Sequence, residues 1–195
     1  MNMPALKLIL IPLLTLLLLS CSEPPDWHAS DISGMMPDLD FSLTGPDGEI
    51  VDASSLLGKP ALIFFGFTNC PGVCPTTLTQ LSVVMKKLGP QAGDIQVVLV
   101  SVDPGRDTPE VMKNYTASFG PWLLGLTGTE EALDALKQNY GVYAAMESSD
   151  SKGDYNVMHS TAIFAFDADG RVRLLISDVT DSDAVVSDLK QLINQ

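Results

Sequence analysis

The stretch Ala61–Phe67 constrains this chain more than any other, because an uninterrupted apolar run of strand length breaks directly into Thr68-Asn69-Cys70-Pro71-Gly72-Val73-Cys74-Pro75. An apolar run without alternation fits a strand covered on both faces, which puts helices on either side of a sheet. Behind the loop, Leu78, Leu81, Val84 or Met85, and Leu88 recur at helical spacing until Gly89-Pro90 stops them. The same order repeats downstream. Ile95–Val102 reads as a second buried strand, and Thr108-Pro109 opens a helix with a hydroxyl cap and a proline at its first position. Val111, Met112, Tyr115 and Phe119 give that helix its expected apolar face. A third helix is expected over Thr129–Tyr140, stopped by Gly141.

Phe41–Leu43 and Glu49–Asp52 read as short strands around the Pro46-Asp47-Gly48 turn, and Val142–Met146 as an edge strand. Thr161–Phe166 and Val172–Ile176 read as a hairpin about Asp167–Gly170, followed by a last helix over Asp183–Ile193. Strands alternating with helices, then a hairpin and a helix, predict an α/β thioredoxin-like sandwich with a central mixed sheet flanked by helices. The 195 residues suffice for one domain of this kind, and 46% hydrophobic against 18% charged residues argues against disorder. With 24 acidic and 11 basic side chains the formal charge is −13, which excludes nucleic acid as a partner because duplex binding needs Lys and Arg to neutralise phosphates.

Lys7, the apolar run Leu8–Leu19 and Ser20-Cys21 have the layout of an export signal, and the run is too short to span a membrane comfortably. Leu18-Leu19-Ser20-Cys21 resembles a bacterial lipobox, in which the signal is removed and the cysteine, here Cys21, is lipid-modified. The expected division is therefore a lipoprotein signal peptide over 1–21, a tether over 22–36 and one domain over 37–195, exported and held on a bacterial membrane. The domain would face the periplasm or the cell exterior. The tether carries Pro24, Pro25, Ser30, Ser33 and Gly34 without periodicity, and His28 within it reads as a solvated residue.

If Cys21 carries lipid, Cys70 and Cys74 remain as the domain's thiols, open to a structural disulfide, a redox couple or a metal site. Closing so small a loop stabilises little, which counts against a static staple. Proline after each cysteine keeps both out of the helical region, so Pro75 is expected at the first helical position with Cys74 as the cap. A thiol at a helix N-terminus ionises more readily, which makes Cys74 the expected thiolate of the pair. Pro71 and Gly72 let the segment curl, so that two sulfurs can meet as a disulfide or around one ion.

His159 lies just before the strand from Thr161, which a thioredoxin-like sheet places beside the strand ending at Phe67. Two thiolates and an imidazole form a soft set that suits copper, Cu(I) in particular, while zinc usually takes a fourth ligand. Met158 adjoins His159, but neighbours on a strand point to opposite sides; Met85 and Met112 read as core.

Three blocks now match a known family. The cysteine loop resembles the Sco/SenC signature T-x-C-P-x-x-C-P. Ser101-Val102-Asp103-Pro104-Gly105-Arg106-Asp107-Thr108-Pro109 is similar to the S-V-D-P-x-R-D-T-P segment, and Tyr155–Ser160 to the stretch holding the family's copper histidine. The resemblance implies copper bound by Cys70, Cys74 and His159 and a role in assembling the CuA centre of cytochrome c oxidase. The implied partner is the CuA subunit or another copper protein. It also implies an outer-shell place for Asp103, while Met158 stands where many relatives carry an acidic residue. A thiol–disulfide oxidoreductase using Cys70 and Cys74 as a redox-active pair is the competing expectation. A peroxidase or redox sensor is the third.

Overall fold

The computed structural model describes residues 26–147, 156–159 and 161–195, with backbone alone at Met146, Glu147, Asn156, Met158 and His159. In chain order the strands are β1 (Ser30–Asp31), β2 (Ser42–Thr44), β3 (Ile50–Asp52), β4 (Ala61–Gly66), β5 (Gln96–Ser101) and β6 (Leu123–Leu126). Then come β7 (Ala144–Glu147), β8 (Asn156–His159), β9 (Ile163–Phe166) and β10 (Val172–Ile176). The helices are α1 (Val73–Leu88), α2 (Pro109–Ala117), α3 (Glu130–Asn139) and α4 (Ser182–Ile193).

Six strands form the main sheet in the order β1-β10-β9-β4-β5-β6. β4, β5 and β6 run parallel, and β9 returns antiparallel to β4 with Phe64 opposite Ile163. Every residue of β4 and β9 is buried, as the unbroken apolar runs require. The core joins both faces of this sheet to Leu78, Leu81 and Val84 of α1, Met112 of α2, Leu133 and Leu136 of α3, and Val185, Leu189 and Leu192 of α4. Met85 and Met112 are core residues, as expected. Val111 is not: it is 39% exposed, and Thr116, whose hydroxyl bonds back to the Met112 carbonyl, takes its place on the buried face of α2.

Thr108 and Thr129 cap α2 and α3, their hydroxyls accepting from the N–H groups of Val111 and Ala132. β7 and β8 form a separate two-stranded ribbon rather than an edge of the main sheet. β6 and β8 have no counterpart in the sequence reading; both are short, and β6 is interrupted by Gly125.

The residues expected to form a tether differ from that picture in their described part, 26–36. β1 pairs antiparallel with β10, Ile32 is buried, and the Ile32 N–H bonds the Arg173 carbonyl at 2.9 Å. His28 is not merely solvated, because its ring and backbone both bond the buried Asp188. The expected signal peptide over 1–21, with Cys21, and residues 22–25 lie outside the described residues. Among the described residues no helix is long and apolar enough to cross a membrane.

Parallel strands bring loops to one end of the sheet. The C-terminal ends of β4, β5 and β10 and the start of β9 share the end where the cysteine loop lies, and the Asp167–Gly170 turn marks the opposite end. Ligand sites in open α/β sheets lie outside the carboxyl ends of the strands.

Candidate metal and redox site at the cysteine loop

β4 ends at Gly66, and α1 begins at Val73 with Gly72 as its N-cap. Gly72 offers no side chain to accept from the first helical N–H groups, and the sulfur of Cys70 fills that role. The Cys74 N–H donates to the Cys70 Sγ at 3.3 Å. The capping expectation is thus corrected by two positions: Cys74 is the second helical residue, and Cys70 is the thiol the helix end faces.

The ionisation order reverses with it. Burial raises the Cys70 thiol, but hydrogen bonds from the backbone of Cys74, Gly72 and Val73 and from the Cys74 side chain outweigh it, and the net shift is downward. Cys74 has no exposed surface, and burial pushes its thiol strongly upward. Cys70 is the more readily ionised thiol and Cys74 the sheltered partner. The two are not joined as a disulfide. Cys74 is seated against β4 because residue 66 is glycine: a Cβ there would stand 3.1 Å from the Cys74 Sγ and 3.0 Å from Leu99 Cδ1.

A buried aspartate anchors the root of the loop. Asp107, with no exposed surface, accepts from the Thr68 N–H at 3.2 Å, the Thr68 hydroxyl at 2.6 Å and the Ser101 hydroxyl at 2.7 Å. Burial raises its carboxyl, against the hydrogen bonds from Thr68 and Ser101 that lower it. Ser101 in turn accepts from the Asp103 N–H at 3.0 Å, and Asp103 pairs with Arg106. The Arg106 guanidinium sits 5.8 Å from the centre of the Phe67 ring. Asp103 therefore belongs to the scaffold under the loop. The sequence reading missed Asp107; its signal was an aspartate in the same D-T-P turn that caps α2.

His159 ends β8, with Ala144 opposite it, four positions before Ile163. Ile163 pairs with Phe64, so the topology leads from His159 to the strand that delivers the cysteine loop. Met158 lies opposite Ala145. The side chains of both lie outside the described residues, and among the described side chains no three potential ligands converge.

The SCO1/SenC family model matches residues 34–194. An SCO2-like protein of Rickettsia felis is 38% identical over 133 residues, which are 68% of this chain and 65% of that protein's own length. The structure of Bradyrhizobium japonicum ScoI with copper bound superposes with a TM-score of 0.74 at 40% identity, covering 80% of this chain and 98% of that one. BsSco, described as a member of the Sco family of cytochrome c oxidase assembly proteins with a disulfide switch, gives a TM-score of 0.64 at 25% identity, covering 82% of this chain and 95% of that one. The match takes in the cysteine loop, the scaffold beneath it and the ribbon that carries His159, and on that extent the chain belongs to the SCO1/SenC family.

Proposed function

We propose that this chain binds copper through Cys70, Cys74 and His159 and passes it by ligand exchange to an acceptor, the CuA site of cytochrome c oxidase or a similar copper protein. The observation that carries this reading is the pair of thiols at one helix end, one lowered by amide donors and one held in reserve beneath it. The donor set is soft, as Cu(I) prefers, and three ligands leave it able to accept an incoming thiolate from a partner. Cu(I) bound by two thiolates displaces their protons, so uptake releases acid and falls as pH drops. Copper is cargo here, and the chain's own part is to present two sulfurs from a loop braced by Asp107. The copper-bound relative and the family's description as oxidase assembly proteins support the reading.

The test is an anaerobic Cu(I) titration of the reduced chain from residue 22 onward against a competing chelator, beside Cys70→Ser, Cys74→Ser and His159→Ala. One tight equivalent weakened by every substitution is expected. Affinity indifferent to His159→Ala would remove the histidine from the ligand set.

Thiol–disulfide exchange is the second reading, favoured by one observation: an ionisable outer thiol with a buried partner is the layout of an attacking and a resolving cysteine. Here Cys70 attacks a disulfide of the acceptor, one acceptor thiol leaves, and Cys74 then releases the second acceptor thiol as Cys70–Cys74 closes. The chain ends oxidised and the acceptor reduced. Disulfide exchange by the metal-free reduced chain, lost in Cys70→Ser, is its test.

The chain is further read as a lipoprotein carried on Cys21, with the domain in the periplasm or outside the cell. The lipobox-like Leu18-Leu19-Ser20-Cys21 supports this. Cys21→Ser is expected to release the protein from the membrane fraction.

A further inference from the structure

Asp188 has no part in the site above, yet it is a carboxylate only 1% exposed on α4. Its Oδ1 accepts from the His28 N–H at 2.9 Å and lies 3.0 Å from the His28 Nδ1, while its Oδ2 accepts from the Ala29 N–H at 2.8 Å. Two successive backbone N–H groups on one buried carboxylate hold the chain in a bend at His28 and Ala29. The chain then enters β1 with Ser30 opposite Leu175, near the β10 end that the cysteine loop shares, and runs away from it.

What precedes the bend turns back the same way. The Trp27 ring lies 6.0 Å from the Arg173 guanidinium, and the Gln191 side chain donates to the Asp26 carbonyl at 3.2 Å. Arg173 stands at the start of β10, beside the Asp167–Gly170 turn, and it also bonds Gln195 at the end of the chain. Asp26 and Trp27 therefore lie towards the end of the sheet opposite the cysteine loop. Four residues separate Asp26 from Cys21, and the five Cα–Cα steps reach at most about 18 Å.

We propose that Asp188 is a clamp that sets the direction in which the membrane tether leaves, so that the end of the domain bearing Arg173 and Gln195 faces the lipid and the cysteine loop faces away. The site is then presented to a partner whose copper-exchanging groups stand clear of the membrane surface, rather than to one buried at the headgroups. This rests on the reading of Cys21 as the lipid-bearing residue. It adds that the fold, and not the tether alone, orients the cargo.

The test uses the full lipidated chain reconstituted in vesicles of phosphatidylethanolamine and phosphatidylglycerol with an acceptor dye on the headgroups. A donor dye is placed through an unnatural amino acid at Asp169 in one preparation and at Thr180 in another, leaving the cysteines untouched. Energy transfer is expected to be stronger from Asp169 than from Thr180, and that difference is expected to vanish in Asp188→Ala. Ala29→Pro removes one of the clamped N–H groups without altering α4, and it decides the matter if Asp188→Ala does not fold. Release of the clamp also shifts Trp27 emission to the red in a Trp122→Phe background. Equal transfer from both positions, or stronger transfer from Thr180, would overturn the proposal while leaving the anchor reading intact, as would a difference that persists in both clamp variants. A chain that leaves the vesicles regardless of Cys21 would instead sink the anchor reading, and the orientation with it.

Discussion

The two ends of the main sheet each close a loop on a buried aspartate, and the two aspartates are treated in opposite ways. At the far turn Asp167 is 5% exposed and accepts from the N–H groups of Asp169 and Arg171 at 3.0 and 2.9 Å and from the Arg171 guanidinium at 2.9 Å. Burial raises its carboxyl, but the Arg171 backbone and guanidinium outweigh it and hold the group below the usual range. At the cysteine end Asp107 rests on an amide and two hydroxyls, and burial holds it above that range. The far turn is fixed with its charge matched by cations. The reactive loop is tied instead by the neutral donors of Thr68 and Ser101.

Asp107→Ala breaks the comparison most severely. It leaves the Thr68 N–H and two hydroxyls without their acceptor around a buried position, and the expected loss is about 3 kcal/mol of unfolding free energy by urea titration. Cu(I) binding is expected to weaken as well, because the root of the cysteine loop is released. Asp107→Asn retains one acceptor oxygen and is expected to lose less.

A smaller effect tests the seat of Cys74. Gly66→Ala places a methyl 3.1 Å from the Cys74 Sγ, and overpacking of this kind costs about 1–2 kcal/mol. Copper affinity is expected to fall with it. Gly170→Ala, at the far turn, meets Leu57 Cδ2 at 2.8 Å from a backbone at φ +79°, and is expected to lose about 1 kcal/mol while leaving copper affinity unchanged.

The smallest effect is in pH dependence, and its sign separates the two ends. Asp167 is lowered in the folded state, so its contribution is present above 3.8 and is lost as pH falls through the lower folded value. Asp107 is raised, so the folded chain holds that proton more tightly than the unfolded one. Its contribution is present below 3.8 and is lost as pH rises through the higher folded value. Urea unfolding across a pH series should therefore show Asp167→Asn flattening the acid-side loss, and Asp107→Asn flattening the opposite slope.

Much of this was legible in the sequence because burial writes itself into apolar runs. Ala61–Phe67 and Ile95–Val102 announced β4 and β5, and Thr108 announced the cap of α2. Cys70 and Cys74 stood out because two prolines and a glycine frame them. The roles within the pair were not legible, since pattern reasoning placed the helix start at Pro75 and could not foresee a sulfur serving as the acceptor for a helical N–H. β1 was hidden for a similar reason. Ser30 and Asp31 carry no apolar signal, and the residue that fixes the bend just before them, Asp188, lies 157 positions beyond Asp31 and reads as an ordinary polar helix residue.

The depth of Cys74 beneath Gly66 imposes an order of events. An oxidant, an electrophile or a mercurial arriving from water meets the Cys70 sulfur first, and Cys74 acts only on what Cys70 has already bound. Only a reagent that stays, and lets the residues between the cysteines rearrange around it, is introduced to the second thiol. A metal ion able to linger on one thiolate passes that test where a glancing collision does not, and the loop thereby selects its visitors by how long they remain.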